Sequence, residues 1–167
     1  MTTPVIRLAT NADAHSIALM SRYLIELGLR GWSRDPLRVT RAIRHRDTCV
    51  AVAEADHEVV GFAIAEFGDT RMHLSLLAVA PAQQKRGTGS ALVEWLEHSA
   101  LTAGMTEIQL ELRANNPGAR FFYQALGFHL VRAMPAYYSG VETALRMRKE
   151  LGSATEAVDT KLLFKNI

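Results

Sequence analysis

The segment QKRGTGS, residues 84–90, carries two glycines one residue apart, between a predicted strand and a predicted helix. Glycine lets the backbone come close to a ligand, and the free N–H groups of a first helical turn form an anion site. Lys85 and Arg86 add positive charge beside these groups, and Ser90 adds a hydroxyl. On its own, the segment is equally consistent with a phosphate-binding loop and with an ordinary glycine turn.

Two common phosphate-binding motifs do not fit this segment. A P-loop requires Gly-Lys-Ser/Thr after four intervening residues, and the segment lacks that sequence. A dinucleotide fingerprint requires a third glycine at position 92, where the chain has Leu92. The loop also follows three consecutive predicted strands, whereas a dinucleotide fingerprint follows a first strand in a parallel unit. The segment is therefore neither of these motifs.

A second segment, NPGARFFYQALGF at residues 116–128, predicts a short capped helix that ends at Gly127. Asn116 and Tyr123 are seven residues apart, which is two helical turns, so both are expected to project to one side. Ala119 lies between them on that side, and its small side chain leaves a shallow groove for a slender ligand. The alternative is that Tyr123 is an ordinary core tyrosine.

Together the two segments resemble motifs A and B of the GNAT acetyltransferase superfamily. Motif A reads Gln/Arg-x-x-Gly-x-Gly/Ala, and the matching residues are Gln84, Gly87 and Gly89. The second motif reads Asn-x-x-Ala-x-x-(apolar)-Tyr-x-x-x-Gly-Phe, and the matching residues are Asn116, Ala119, Phe122, Tyr123, Gly127 and Phe128. The resemblance extends from Val5 to Leu151.

The resemblance implies that acetyl-CoA is the co-substrate and that its acetyl group passes directly to a primary amine through a tetrahedral intermediate. It assigns the pyrophosphate of coenzyme A to the loop residues Gln84, Lys85, Arg86, Gly87, Thr88, Gly89 and Ser90. Backbone groups of Leu77, Ala78 and Val79 would bind pantetheine and polarise the thioester carbonyl. The other expected cofactor contacts are Asn116, Ala119, Phe122 and Tyr123. No metal is implied, since the six histidines show no ligand spacing.

Amine acetylation needs a base, because an ammonium group has no lone pair, and the departing thiolate accepts a proton from an acid. The stretch LELRANN, residues 110–116, looks like the ribosomal-protein alanine N-acetyltransferases. That likeness implies Glu111 as the base, acting through a water molecule, and Tyr123 as the acid. The alternative for Glu111 is an exposed strand glutamate that pairs with a neighbouring cation. The rival bases are Glu66 and His73.

The acceptor amine is not specified by the sequence. Its pocket is expected to be lined or flanked by Arg30, Trp32, Tyr137 and Tyr138, which suit a peptide N-terminus, a polyamine or another small amine equally well. A non-catalytic acyl-CoA-binding or sensor protein of the same fold is the alternative function. A third possibility is an RNA-associated protein that uses the arginines between residues 30 and 47, although no nucleic-acid partner is expected.

The hydrophobic pattern predicts a mixed α/β (α+β) domain around one largely antiparallel sheet. The resemblance implies a GNAT fold, in which about four helices flank a mixed, mostly antiparallel sheet of six or seven strands. The predicted strands cover residues 5–9, 48–54, 59–67, 72–79, 106–113, 128–133 and 141–147. Helices are predicted after residue 10, over 35–46, from the glycine loop to Gly104, and from Asn116 to Gly127.

The apolar face of the first helix is predicted to contain Ile17, Met20, Leu24 and Leu27, and its end is predicted at Gly28. One face of the helix after the glycine loop is predicted to contain Leu92, Trp95, Leu96, Ser99 and Ala103. A turn is predicted at residues 56–58, and residues 106–113 alternate so that Ile108, Leu110 and Leu112 share one face. The acetyltransferase domain is expected at 1–151, with a tail or extra helix at 152–167.

Composition is that of an ordinary soluble domain, with 49% hydrophobic and 22% charged residues in 167. No apolar stretch is long enough to span a membrane and no secretory signal is visible, so a cytoplasmic protein is expected. The single cysteine, Cys49, excludes an intramolecular disulfide and is expected in a buried strand. A net charge of +2 is too small to indicate nucleic-acid binding. The sequence leaves the oligomeric state open, and a homodimer that uses the last strands or the tail is one possibility.

Overall fold

A computed structural model of the chain describes residues 2–26 and 34–152. Four α-helices occur in this part, namely α1 (Ala14–Leu24), α2 (Pro36–Arg44), α3 (Thr88–Thr102) and α4 (Pro117–Ala125). The strands are β1 (Val5–Leu8), β2 (Thr48–Ala55), β3 (Glu58–Phe67), β4 (Arg71–Val79), β5 (Glu107–Arg113), β6 (His129–Tyr138) and β7 (Glu142–Glu150). They form one seven-stranded mixed sheet in the order β1-β2-β3-β4-β5-β7-β6. The predicted fold class and order of elements are confirmed.

The chain divides into two compact units. The first lies within residues 1–66 and 74–96, and the second lies within residues 67–73 and 97–167. The boundaries between the units fall inside β3, β4 and α3. The expected domain limits at 1–151 stay a prediction, and residues 153–167 of the expected tail lie outside the described residues.

A hydrophobic core fixes the end of β4 in the first unit. Antiparallel pairing joins β1 to β2 and β2 to β3. Helices α1 and α2 and strands β2, β3 and β4 contribute its buried residues, which are Ala14, Ile17, Ala18, Val39, Val50, Val52, Phe62, Ile64 and Ala78. Burying a large apolar side chain such as Phe62 stabilises the fold by about 1.5–3 kcal/mol. Because Ala78 belongs to this core, the residues that precede the glycine-rich loop are held in place.

The β2–β3 hairpin turns through two residues in the left-handed conformation. Asp56 has a φ of 50° and His57 a φ of 65°. Two successive positive φ values are typical of a type I′ turn, whose twist matches that of the flanking strands. The predicted turn is confirmed, although Glu58 already belongs to β3.

Helix α1 is shorter than predicted and buries a different set of residues. Its buried residues are Ala14, Ile17, Ala18 and Ser21. Leu24, predicted on the apolar face, is 39% exposed, so that prediction was wrong. The helix ends at Leu24, and Ile25 packs against the core in its place. The predicted helix residue Leu27 and the predicted end at Gly28 lie outside the described residues.

Helix α3 begins at Thr88, so its first turn includes the last residues of the glycine loop. It ends before Gly104, as predicted, and that glycine has a φ of 78°. Its buried residues are Leu92, Val93, Leu96 and Ala100. Ala103, which was predicted on the buried face, is exposed because it follows the last helical residue.

The strands of the second unit are partly longer than predicted. In β5 the side chains alternate as predicted, with Ile108, Leu110 and Leu112 buried. β6 and β7 both extend beyond their predicted ends, and β6 continues through Pro135. The β6–β7 register shifts between Met134 and Tyr138, and Ala136 has a φ of 56°. An edge strand tolerates proline and irregular pairing, because one side of its backbone has no ladder to complete.

Candidate active site

The glycine-rich loop begins where β4 ends, in the first unit. A 3₁₀ turn at Pro81–Gln83 follows the strand, and proline has no N–H group with which to continue it. The side-chain amide of Gln84 donates a hydrogen bond of 2.9 Å to the Val79 carbonyl. This bond ties the loop to the strand end, and it means that one of the expected pantetheine-binding carbonyls already has a donor.

Two residues of the loop adopt the left-handed conformation, Lys85 with a φ of 59° and Gly87 with a φ of 87°. A Cβ atom at Gly87 would meet nothing within 4 Å. Backbone conformation, and not crowding, is therefore the reason for glycine at this position. Lys85 has a Cβ, so its conformation costs about 1–2 kcal/mol. Strain of this kind concentrates at ligand-binding sites.

The N-terminus of α3 presents backbone donors next to positive charge. The Gly87 carbonyl accepts a hydrogen bond of 2.9 Å from the Ala91 N–H, so the helical ladder starts at this glycine. The N–H groups of residues 88–90 then have no acceptor within the helix. The helix dipole places about +0.5 elementary charge at this end. Lys85 and Arg86 are exposed just before it.

Thr88 contributes a buried hydroxyl at the same end of the helix. The residue is 3% exposed, and its Oγ1 has no hydrogen-bond partner among the described residues. A buried polar atom without a partner costs about 1–3 kcal/mol. A ligand oxygen at the helix N-terminus would give this atom an acceptor. The donors and charges of the segment therefore fit a pyrophosphate group.

Close packing holds the expected backbone contacts at Leu77, Ala78 and Val79. A Cβ atom added at Gly61 in β3 would lie 3.2 Å from the Ala78 carbonyl and 3.2 Å from Leu92 Cδ1. Glycine at position 61 therefore allows the backbone of β3 to approach the end of β4 and the first turns of α3. The end of β4 is consequently a rigid place from which to offer backbone groups to a ligand.

In the second unit, Asn116 is the N-cap of α4. Its Oδ1 accepts a hydrogen bond of 3.1 Å from the Ala119 N–H, and Pro117 occupies the first helical position. An N-cap residue has no helical conformation, so the argument from two helical turns does not apply to Asn116. Its side chain is exposed, whereas Tyr123 is buried. The amide NH₂ group of Asn116 can still donate to a ligand.

Tyr123 lies in an aromatic cluster at the end of α4. Its ring makes edge-on contacts with Phe122 at 5.0 Å and with Phe128 at 5.4 Å between ring centroids. Burial raises the pKa of the Tyr123 phenol well above its usual range. The phenol therefore stays protonated at neutral pH, which is the state that an acid requires.

The two last residues of the second motif end α4. Gly127 has a φ of 91°, and its N–H donates to the Gln124 carbonyl. The Phe128 N–H donates to the Tyr123 carbonyl at 3.0 Å. A left-handed glycine with these two bonds is a common helix C-cap. The roles of Gly127 and Phe128 are therefore structural, because they fix the turn that holds the Tyr123 ring.

Glu111 of β5 belongs to a buried charge cluster in the second unit. Its Oε2 lies 2.5 Å from His73 Nε2, and its Oε1 accepts a hydrogen bond of 2.8 Å from Arg146 Nε. Gln109 donates a longer bond of 3.3 Å to the same Oε1. The bond to His73 lowers the pKa of Glu111, and Arg146 lowers it further against the opposing effect of burial. Glu111 is thus ionised at neutral pH.

The cluster shows one site residue that the sequence analysis missed. Arg146 pairs directly with Glu111 across the antiparallel β5–β7 ladder. Opposite charges on the polar faces of two neighbouring strands are the signal that could have indicated this contact. The structure also joins His73 to Glu111, although these two residues were predicted as rival bases. The third rival, Glu66 in the first unit, accepts a 3.0 Å bond from Ser75.

Of the four residues expected around the acceptor, Tyr137 and Tyr138 are described, while Arg30 and Trp32 lie outside the described residues. The two tyrosine rings contact each other edge-on at 5.0 Å. The Arg113 guanidinium lies over the Tyr138 ring at 5.1 Å. Burial, with smaller contributions from neighbouring charges, raises the pKa of Tyr138 to about 12.

Three further observations concern the described parts of the chain. Cys49 is buried as predicted, and burial raises the pKa of its thiol to about 11. Among residues 2–26 and 34–152, no group of three or more potential ligand side chains is placed to hold a metal ion. Within the same residues, no helix has the length and apolar character needed to cross a membrane.

Residues 16–128 match the sequence model of the acetyltransferase (GNAT) family. An uncharacterized N-acetyltransferase of Methanocaldococcus jannaschii is 35% identical over 157 residues, which cover 90% of this chain and 94% of the relative.

Solved structures of acetyltransferases share the fold. The Escherichia coli ribosomal-protein-S18-alanine N-acetyltransferase superimposes with a TM-score of 0.77 at 23% identity, covering 90% of this chain and 96% of that chain. The Salmonella typhimurium protein yncA, solved with its cofactor acetyl-CoA, has a TM-score of 0.77 at 20% identity and covers 91% and 96% of the two chains.

Proposed function

Because this chain belongs to the acetyltransferase (GNAT) family and is an N-acetyltransferase, we propose that it transfers the acetyl group of acetyl-CoA directly to a primary amine through a tetrahedral intermediate. The N-terminus of α3 is the observation that carries the proposal. There a left-handed glycine, free backbone donors and the unpartnered Thr88 hydroxyl meet two cationic side chains. This combination suits a pyrophosphate better than it suits an ordinary turn.

Residues 84–90 bind the pyrophosphate in this proposal. The backbone N–H groups at the start of α3 donate to its oxygens, and Thr88 supplies a hydroxyl. Lys85 and Arg86 neutralise part of its charge, since both are exposed beside the helix end. Gln84 acts indirectly, because its amide already bonds the Val79 carbonyl and holds the loop closed.

The pantetheine arm is assigned to backbone groups of residues 77–79 and to α4. Asn116, the N-cap of α4, offers its amide NH₂, and the half-buried Ala119 and Phe122 are assigned the apolar contacts with the arm. When bound, acetyl-CoA supplies an activated thioester carbonyl with a good leaving group. A backbone N–H at the end of β4 polarises that carbonyl by donating to its oxygen.

Tyr123 is proposed to protonate the departing sulfur. Its raised pKa keeps the phenol protonated, and its aromatic neighbours restrict the orientation of the ring. Deprotonation of the amine is assigned to Glu111 together with His73 and Arg146, which are bonded to its carboxylate. Glu111 is ionised at neutral pH, so this cluster can stabilise a positive charge that arrives from the amine.

The acceptor is proposed to be a peptide N-terminus or a small amine. Tyr137 and Tyr138 present two aromatic rings in the second unit, and Glu142 bonds the Arg113 side chain that covers Tyr138. Aromatic faces and carboxylates attract a cationic amine. Both classes of acceptor carry such an amine, so the assay has to include both.

The proposal is tested by incubating the protein with acetyl-CoA and three acceptors: a peptide with a free N-terminal alanine, spermidine and an aminoglycoside. Release of coenzyme A is followed over time, and acetylated products are identified by mass spectrometry. We expect release to depend on the acceptor and to match the product formed. Binding of acetyl-CoA without acceptor-dependent release would instead support the non-catalytic alternative.

A further inference from the structure

The polar face of β5, opposite to its buried leucines, carries two carboxylates that are largely shielded from solvent. Each of them is shared by two basic side chains, namely Glu107 by Arg71 and Arg148, and Glu111 by His73 and Arg146. The side chains of Glu107 and Glu111 are only 14% and 6% exposed. Both carboxylates therefore have their partners already, and neither is left to neutralise a further cation.

Arg132 is a further cation, in the edge strand β6. Its side chain is exposed, and among residues 2–26 and 34–152 it has no ion-pair partner. In the β6–β7 ladder it lies opposite Arg146. Directly paired residues place their side chains on the same face, where like charges destabilise the sheet. The stability of the fold therefore does not explain an arginine at this position.

An irregularity in strand pairing brings Arg132 to the polar face. The register shifts immediately before this residue, so that Arg132 and not Val131 lies opposite Arg146. In a regular ladder the side chain of residue 132 would point to the other, apolar face. Bulges of this kind re-aim side chains and are frequent next to active sites. The bulge here adds a cation to the row of the sheet that contains Glu111.

Arg148 of β7 is the diagonal neighbour of Arg132 in the ladder, and the carboxylates around it satisfy it only in part. Its contacts with Glu107 and Glu150 are long, at 3.4 Å and 3.6 Å. The side chain of Glu150 is 74% exposed, so this pair contributes little. The Nε atom of Arg148 is buried and has no hydrogen-bond partner in the described part of the chain. Diagonal neighbours are within reach of each other when their side chains are long.

Building on the proposed function, we propose that Arg132, assisted by Arg148, binds a carboxylate of the acceptor. The preferred acceptor is then a peptide with an acidic residue close to its N-terminus. A guanidinium group can donate two parallel hydrogen bonds to a carboxylate, which gives this pairing both strength and orientation. A carboxylate next to Arg132 also offsets the repulsion between Arg132 and Arg146. Arg132 and Arg148 together are called the anion subsite below.

Sheet geometry sets the distance over which the acceptor has to extend. Glu111, Arg146 and Arg132 form one row across β5, β7 and β6. Neighbouring strands are about 5 Å apart, so the Cα atoms of Glu111 and Arg132 are about 10 Å apart. An extended peptide covers this distance in about three residues. With the amine bound at Glu111, as proposed, the acidic residue is the fourth of the peptide, or the third if the arginine side chain reaches toward it.

The same subsite disfavours other classes of acceptor. Spermidine and aminoglycosides carry several positive charges, which the two arginines repel. A free amino acid carries its amine and a carboxylate on one carbon, so it does not span the distance between Glu111 and Arg132. The phosphates of coenzyme A are the other anions present in the reaction, and the KM for acetyl-CoA distinguishes them from an acceptor carboxylate.

The first measurement uses peptides that begin with alanine and carry aspartate, asparagine or lysine as the third or the fourth residue. At saturating acetyl-CoA, we expect kcat/KM to be about 10-fold higher with aspartate than with asparagine, and lowest with lysine. The preference is expected to shrink as ionic strength rises, because salt screens an exposed charge. Equal kcat/KM for the aspartate and asparagine peptides at both positions would overturn the proposal, as would a preference for free glutamate over these peptides.

The second measurement uses variants of Arg132. In Arg132→Gln the aspartate and asparagine peptides are expected to become equivalent, mainly through a higher KM for the aspartate peptide. Arg132→Lys is expected to keep part of the preference, and Arg132→Glu to prefer the lysine peptide. Arg44→Gln removes an exposed arginine of α2 to which no role is assigned, and it is expected to keep the wild-type preference. An increase in the KM for acetyl-CoA as large as that for the peptide would assign Arg132 to the cofactor and contradict the proposal.

Thermal unfolding tests whether Arg132 has a merely structural role. Arg132→Gln removes a like-charged cross-strand pair, so its Tm is expected to equal or exceed that of the wild type. A lower Tm together with an equal loss of activity on all peptides would show that Arg132 supports the fold and does not select the acceptor.

Peptide binding separates this inference from the proposed function. The Kd values of fluorescently labelled aspartate and asparagine peptides are measured by anisotropy with coenzyme A present, so that no acetyl group is transferred. We expect the aspartate peptide to bind about 10-fold more tightly to the wild type, and the two peptides to bind equally to Arg132→Gln. If no acceptor is acetylated, the proposed function fails, and these Kd values decide the anion subsite alone. Equal Kd values in the wild type would contradict it.

Discussion

The phenol of Tyr123 is buried between two aromatic rings, and we expect its hydroxyl to matter for turnover and not for binding. In Tyr123→Phe the ring contacts with Phe122 and Phe128 are kept, so folding is preserved. Loss of the acid is expected to reduce kcat by about 10²-fold. The Kd for acetyl-CoA is expected to stay nearly constant in isothermal titration calorimetry.

The matched control for this variant is Tyr23→Phe. Tyr23 lies in α1 and is 65% exposed, so it loses the same hydroxyl at a position to which no role is assigned. Its kcat is expected to equal that of the wild type. An unchanged kcat in Tyr123→Phe would remove the acid role and leave Tyr123 as a core tyrosine.

Gly87 makes a different kind of contribution, through its backbone. An alanine there would have to hold a φ of 87°, which costs about 1–2 kcal/mol, or would force the loop into another conformation. We expect Gly87→Ala to weaken acetyl-CoA binding about 10-fold while changing kcat little, because the pyrophosphate is remote from the reacting carbonyl. Steady-state kinetics with varied acetyl-CoA measure both quantities.

Gly104→Ala is the control for backbone strain. Gly104 has a φ of 78° and, like Gly87, would place its Cβ in open space. It lies after the opposite end of α3, so its replacement carries the same strain without touching the proposed anion site. Equal loss of acetyl-CoA affinity in both variants would show that strain alone explains the effect.

Which site residues the sequence could predict depends on how local their interactions are. The loop at 84–90 and the cap at Asn116 depend on neighbours within five residues, so a motif is enough to place them. The cluster of Glu111 with His73 and Arg146 depends on three strands that are 35 or more residues apart in the chain. A contact of that kind follows from strand register, which a motif does not encode.

At the scale of elements, α2 shows how local signals set helix boundaries. Asp35 is its N-cap, and Oδ1 of Asp35 accepts a hydrogen bond of 2.9 Å from the Arg38 N–H. Pro36 follows at the first helical position, where its missing N–H is no loss. The predicted start was therefore accurate, whereas the end at Arg44 came two residues before the predicted Arg46.

Removal of this cap gives a stability prediction. Asp35→Ala is expected to lower the free energy of unfolding by about 1 kcal/mol, because one orphan N–H of α2 loses its acceptor. For a chain of this size, that corresponds to a Tm lower by about 2–4 °C in calorimetry. The ion pair between Arg38 and Asp35 adds little, since both side chains are exposed.

Asp47→Ala is a close control for the cap. Asp47 also forms an exposed pair with an arginine, Arg46, but it caps no helix. Its Tm is expected to stay within about 1 °C of the wild type. If both variants lost the same stability, charge and not capping would be the cause.

Elements whose ends depend on tertiary pairing were harder to predict. The predicted end of β6 at Ala133 came just before Pro135, which normally ends a strand, yet the strand continues to Tyr138 at the sheet edge. Its partner β7 likewise continues to Glu150, because residues 107–113 of β5 provide a ladder as far as that residue. The partner strand, and not local propensity, sets these boundaries.

For the whole molecule, two short motifs were enough to predict the family, and the hydrophobic pattern with its turn and cap residues was enough to predict the order of the elements. The acceptor is a different case. Pockets for small ligands are built from side chains of non-adjacent elements, and their shape depends on how those side chains pack. No spacing rule in the sequence links Tyr137 and Tyr138 to one class of amine, so only an assay with several acceptors can distinguish them.

Ligand binding to the folded state also predicts how the stability of the whole chain responds to coenzyme A. A ligand at 100 times its Kd stabilises the native state by about 2.7 kcal/mol, which corresponds to a Tm higher by about 5–10 °C for a chain of this length. Differential scanning fluorimetry with coenzyme A measures this shift. Pantetheine lacks the pyrophosphate that residues 84–90 are proposed to bind, so the same concentration is expected to give a much smaller shift. Gly87→Ala is expected to reduce the coenzyme A shift but not the small pantetheine shift. Equal shifts with the two ligands would contradict the anion site at the start of α3.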